Sequence, residues 1–159
     1  MGRSKGIKRI WLVRHAESRG NTGHESDIDP PLSPLGQQQA RQLHKALSHI
    51  KFDKIYLSPL KRTRQTLELS GLEMKNIFFD SRIIEYRYEG AYNTILPYEA
   101  VPDYGLPDTR DAWLLPYHER IRDFAIEIAG TEFEDILIVT HGGSSIALAC
   151  AFLENGQKR

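Results

Sequence analysis

Leu12-Val13-Arg14-His15-Ala16-Glu17-Ser18 is an apolar run that stops abruptly at a cation and an imidazole. Val139-Thr140-His141-Gly142-Gly143, near the other end of the chain, has the same form: apolar residues, a histidine, then glycines where the extended backbone gives way. An Ile/Leu/Val-dense run is what a strand covered on both faces requires. Each segment therefore reads as a buried strand that delivers a histidine to one edge of a sheet. Two histidines presented in this way, one of them beside an arginine, point to a site for an anionic group.

Working outward, four segments read as strands: 8–13, ending at Arg14-His15; 52–57, ending at Ser58-Pro59; 77–79, either stopping there or continuing towards Ile84; and 136–140, ending at His141. Helical patterns lie between them. After Ser33-Pro34, apolar residues recur at Ala40, Leu43, Leu47 and Ile50, with Ser33 as N-cap and Pro34 at the first helical position. A second helix is predicted from Pro59 or Leu60 to Ser70, with Gly71 as its stop. A third covers 117–129, with Ile121, Phe124, Ala125 and Ile128 on one face and Gly130 as its stop, and a fourth begins after Gly142-Gly143. Strands alternating with helices predict an α/β fold, a three-layer α/β/α sandwich around a largely parallel central sheet. At 159 residues the chain is expected to form one domain over 1–159. Two polar, irregular stretches, 19–31 and 86–107, remain as either binding loops or surface excursions.

Composition excludes several classes. Twenty-one basic and 21 acidic residues give zero formal net charge, so neither a nucleic acid nor a membrane surface is expected as a partner. Local charge is uneven: Lys8, Arg9, Arg14 and Arg19 gather around the first histidine, and Lys61, Arg62 and Arg64 form a second group. These are either solvated faces or the walls of an anion site. The single cysteine, Cys150, allows no intrachain disulfide and reads as a packed thiol in the apolar run 146–152. No apolar stretch reaches transmembrane length, and the run at 10–13 is too short for a signal peptide, so a cytoplasmic protein is expected.

In a sheet of this kind, ligands bind beyond the carboxyl ends of the strands. Arg14, His15, Ser58 and His141 all fall there, and Arg62 lies in the first turn of the helix after Ser58. A helix start offers unpaired N–H groups and partial positive charge, both suited to phosphate, and arginines add bidentate donors. Taken alone, an arginine in a first turn is ordinarily a surface residue; four such groups on one edge converge far less often by chance. Ser58 reads as a capping or structural residue at the border of this pocket. His24, His44, His49 and His118 lack metal-ligand spacing, and no P-loop or dinucleotide fingerprint is present, so no metal and no cofactor is expected.

The chain resembles the histidine phosphatase superfamily, also called phosphoglycerate mutase-like. The resemblance rests on an ordered set: Leu12 to Ser18 with Asn21, Leu32-Ser33-Pro34-Leu35-Gly36 with Gln39-Ala40, Ser58-Pro59-Leu60-Lys61-Arg62-Thr63-Arg64-Gln65-Thr66, Glu85 with Tyr88 and Gly90, and Thr140-His141-Gly142-Gly143. It implies that His15 is a nucleophile that becomes a phosphohistidine. Arg14, Arg62 and His141 would surround the transferred phosphoryl, with Asn21 and Gly142 lining its pocket, and Glu85 would protonate the leaving oxygen. Glu17 and Glu89 are neighbouring carboxylates that compete for that last role. The chemistry is sound: a neutral imidazole nitrogen is a competent nucleophile near neutral pH, and phosphoryl transfer otherwise needs positioning and donors for the equatorial oxygens.

Within the family the departures favour a hydrolase. Phosphoglycerate mutases typically carry Glu-Arg-His-Tyr-Gly with a lysine some residues on; here the segment is Glu85-Tyr86-Arg87-Tyr88-Glu89-Gly90, with no lysine between Lys75 and Lys158. A mutase must also enclose its intermediate against water. The expectation is a phosphomonoester hydrolase acting on a small phosphorylated substrate. The alternatives are a mutase or bisphosphatase and, further off, a non-catalytic phosphate-binding protein. Tyr86, Tyr88 and Tyr92 lie in the loop that would cover the pocket, either as a substrate wall or as packing. The family usually continues beyond the last helix with another strand; this chain stops at Gly156-Gln157-Lys158-Arg159, either as a minimal member or because the end has been lost. An exposed sheet edge would invite pairing, so the expected state is monomer or dimer.

Overall fold

The computed structural model describes residues 6–23, 29–85 and 117–157. In chain order these form β1 (Arg9–Arg14), α1 (Pro34–Leu47), β2 (Lys54–Leu57), α2 (Lys61–Ser70), β3 (Ile77–Phe79), a 3-10 turn (Ser81–Ile83), α3 (Tyr117–Gly130), β4 (Asp135–Thr140) and α4 (Gly142–Gln157). The four strands make one parallel sheet in the order β1-β4-β2-β3.

Period-two alternation along the strands sorts the apolar side chains into two layers. Tyr56, Ile136 and Ile138 face one side and pack with Ile121, Phe124 and Ile128 of α3 and Leu148 of α4. Ile55, Leu57, Leu137 and Val139 face the other and pack with Leu47 of α1 and Leu67 of α2. The sheet thus lies between two helical layers, the expected α/β/α sandwich. β4, flanked on both sides, is buried at all six positions, as its unbroken apolar run requires.

The expected boundaries hold with some corrections. Ser33 caps α1, its hydroxyl accepting from Gly36 N at 3.0 Å, and Pro34 opens the helix. α1 ends at Leu47 rather than reaching Ile50, which still packs against the second layer. Gly71 terminates α2 in the left-handed conformation, φ 66°. β2 begins at Lys54 rather than Phe52, and the Asp53 carboxylate just before it accepts from Glu134 N and Asp135 N at 2.7 and 3.1 Å. β3 does not extend towards Ile84: Asp80 accepts from Arg82 N at 2.9 Å and starts the 3-10 turn. Cys150 is exposed, not packed. Its run is apolar all round, and Leu148 and Ala151 take the core positions, leaving Ile146, Cys150 and Leu153 outward.

Candidate active site

Because every strand runs the same way, all carboxyl ends emerge at one edge. Register then places the side chains. Arg14 is level with Thr140, and Leu57 with Val139. The ladders continue one residue further, His15 N donating to Thr140 O at 2.8 Å and Ser58 N to Val139 O at 3.1 Å. β4 therefore sits between β1 and β2, with His141 flanked by His15 and Ser58. The two imidazoles meet edge to face with centroids 5.2 Å apart.

His15 is buried, and its Nδ1–H donates to Ala16 O at 2.6 Å. That bond fixes the tautomer and leaves a lone pair on Nε2, towards which Arg62 Nε donates at 3.3 Å. Burial, with the Arg62 and Arg14 charges, lowers the pKa of His15 to about 4 against the opposing bond to Ala16. The ring is neutral at pH 7. His141 is fully buried, and burial holds its pKa well below the ordinary value, with Arg62, His15, Arg120 and Arg14 acting the same way.

Arg62 stands on the first turn of α2. The start of that helix has no cap from its own Leu60. Instead the buried Asp29, reaching across from the 19–31 stretch, accepts from Lys61 N at 2.7 Å and lies 3.8 Å from Arg62 Nη1. Thr66, one turn on, accepts from Ala16 N at 3.0 Å while its own hydroxyl donates to Arg62 O at 2.6 Å. One side chain thus ties the peptide that orients His15 to the turn that carries Arg62.

Glu85 arrives from a different direction. Its carboxylate accepts from Gly143 N and Ser144 N, each at 3.2 Å, at the start of α4. The segment before it hangs from three anchors: Thr140 Oγ1 donates to Ile83 O at 2.6 Å, Ser144 Oγ to Ile84 O at 3.1 Å, and Arg120 to the carbonyls of Ser81, Arg82 and Glu85 at 3.3, 2.8 and 3.3 Å. Burial lowers the pKa of Arg120 to about 10, so it is still a cation at neutral pH. The competing Glu17 lines the cleft beside His15, with its carboxylate accepting from Ser33 Oγ at 2.6 Å. Gly143 matters by its lack of a side chain, since a Cβ there would come within 2.7 Å of Glu85 Oε1.

The structure brings Arg14, His15, Arg62, Glu85, His141 and Gly142 to this edge. Arg14 is exposed, with its guanidinium against Gly142. Asn21 lines the same cleft of about 460 Å³ as Arg14, His15, Gln39 and Thr66. Its Oδ1 is taken by Ser18 N and Ser18 Oγ, both at 2.9 Å. Tyr86, Tyr88 and Tyr92 lie outside the described residues. Thr66 stood in the Ser58-to-Thr66 motif without a role of its own, and Asp29, Arg120 and Ser144 were not singled out from sequence. Of these three, Arg120 left a trace, a cation one turn before Phe124 on the apolar face of α3. Among the described residues, no three His, Cys, Asp or Glu side chains are grouped to hold a metal ion. Nor is any helix there long and apolar enough to cross a membrane.

A parallel sheet with two buried neutral imidazoles among arginines at its carboxyl edge defines a class of phosphoryl-handling α/β proteins. Within it, the chain belongs to the histidine phosphatase superfamily, branch 1, whose family model matches residues 10–159. It is 31% identical over 163 residues to phosphoserine phosphatase 1 of Hydrogenobacter thermophilus, covering 91% of this chain and 76% of that protein. A shorter match, 40% over 63 residues, joins it to the adenosylcobalamin/alpha-ribazole phosphatase of Salmonella typhimurium, covering 38% of this chain and 31% of the other. In fold it is similar to a mycobacterial glucosyl-3-phosphoglycerate phosphatase, with TM-score 0.65 and 24% identity over 93% of this chain and 83% of that one.

Proposed function

We propose that the chain is a phosphomonoester hydrolase working through a phosphohistidine on His15. The observation that carries the reading is the bond from His15 Nδ1–H to Ala16 O, which turns an Nε2 lone pair towards the arginine-lined edge. In the first step Nε2 attacks phosphorus, the ester P–O bond breaks, and the leaving oxygen takes a proton from the Glu85 carboxyl. In the second, water attacks the phosphohistidine, its proton passes to Glu85, and His15 is regenerated with release of phosphate. Arg14 and Arg62 hold the equatorial oxygens, and His141, uncharged, donates to one of them. The phosphatase relative that aligns over most of the chain supports hydrolysis over isomerisation. It also puts small phosphorylated amino acids first among substrates to screen.

The test is hydrolysis of an aryl phosphate by wild type and His15→Ala. Loss of turnover in the variant is expected; equal rates would remove His15 from the mechanism. Measuring phosphate release against isomerisation, with and without 2,3-bisphosphoglycerate, separates the hydrolase from a mutase, and a preference for isomerisation would overturn the hydrolase reading.

A further inference from the structure

Ser58 and His141 are both fully buried, and Ser58 Oγ lies 2.8 Å from His141 Nε2. This is the hydroxyl's one hydrogen bond among the described residues, and His141 Nδ1 has none there. The donor inventory of the pair admits two arrangements. If Nε2–H donates to Ser58, the serine proton and the Nδ1 lone pair are both left buried without partners. The bare nitrogen is then an acceptor at a site that must receive an anion. If Ser58 O–H donates to Nε2, the serine proton and the Nε2 lone pair satisfy each other. The one group left over is Nδ1–H, a donor. Buried polar groups are rarely left unsatisfied, and the second arrangement leaves one such group where the first leaves two.

We infer that Ser58 is a positioning residue that sets the tautomer of His141, holding its single proton on Nδ1 as a donor to the phosphoryl group. The inference rests on the phosphoryl-transfer reading for what the donor meets, but not for the tautomer itself. It also explains why a serine follows β2. A side chain in register beside the residue before His141 must be small enough to fit the closed sheet edge and must carry a proton to give.

Long-range ¹H–¹⁵N spectra of [¹⁵N]histidine-labelled protein at pH 7, with His141 assigned from a His141→Asn variant, read the tautomer directly and without substrate. Wild type is expected to show Nδ1–H on His141. Ser58→Ala is expected to admit the Nε2–H form, with kcat/KM on an aryl phosphate falling about tenfold to hundredfold, short of the largest losses from a deleted oxyanion donor. An Nε2–H tautomer in wild type would overturn the inference. So would a Ser58→Ala protein that keeps Nδ1–H, or one that changes tautomer with no change in rate. The wild-type spectrum decides even if the variant folds poorly. Equal aryl phosphate turnover by wild type and His15→Ala would instead sink the phosphohistidine reading and leave the tautomer assignment standing.

Discussion

Removing the ionisable ring of His15 should flatten the acid side of the protein's stability curve. His15 is 7% exposed and its pKa falls to about 4 in the fold, against about 6.5 in the unfolded chain. Between those values the unfolded state binds more protons than the folded one, so stability rises with pH. The pH-dependent cost of burying the neutral ring is therefore small at pH 7 and vanishes above it, and stability is lost as pH falls from there towards 4. For this pair of pKa values the loss between pH 7 and pH 5 is about 2 kcal/mol, approaching about 3 kcal/mol at pH 4. His141 adds to the loss in the same direction. The assay is urea unfolding of wild type and His15→Asn from pH 7.5 to 4.5. Carboxylate contributions common to both proteins cancel in the difference. The stability gap between the two should shift by about 2 kcal/mol in the variant's favour between pH 7 and 5. Parallel curves, or an NMR titration of His15 with its midpoint near 6.5, would refute the argument that burial among arginines keeps this ring neutral.

Two glycines should behave oppositely on mutation to alanine. At Gly36 the new Cβ would fall 1.9 Å from Glu17 O, a backbone atom, so Gly36→Ala should cost at least about 3 kcal/mol in chemical denaturation. At Gly143 the clash is with the mobile end of Glu85, so Gly143→Ala should keep stability within about 1 kcal/mol of wild type. Its kcat should fall about tenfold to hundredfold as the carboxyl is displaced. Arg120→Met leaves the three carbonyls it holds without that donor and should lower both Tm and kcat, with Arg120→Lys restoring little because an ammonium cannot reproduce the planar fork. Asp29→Ala removes the cap on α2 and should cost about 1 kcal/mol while raising KM for a phosphorylated substrate through Arg62.

The parts of the site carried by buried parallel strands were legible from sequence alone. An apolar run that stops at a polar residue marks where a strand leaves the core, and parallel strands bring all such stops to one edge, so Arg14, His15, Ser58 and His141 were placed together. Ser33-Pro34 was legible because a cap and its helix are neighbours in sequence. The order β1-β4-β2-β3 left no local signal. Neither did Asp29 capping α2 from 32 residues away, nor Arg120 reaching back to Glu85 across 35. These contacts are set by packing of distant elements rather than by periodicity. Ser58 was legible as a residue at the edge but not as the partner of His141, since its neighbour is 83 positions later. The outward Cys150 was missed because an apolar run without clear periodicity does not say which side chains face the core.

The most direct measurement is the site of the covalent intermediate. Wild type mixed with a labelled aryl phosphate, quenched within a turnover in alkaline denaturant and digested, should carry one phosphoryl group on the peptide containing His15. The label should be lost on acid treatment and absent from His15→Ala. Turnover with the phosphoryl group on another residue, or a His15→Ala protein that turns over at the wild-type rate, would contradict the phosphohistidine mechanism.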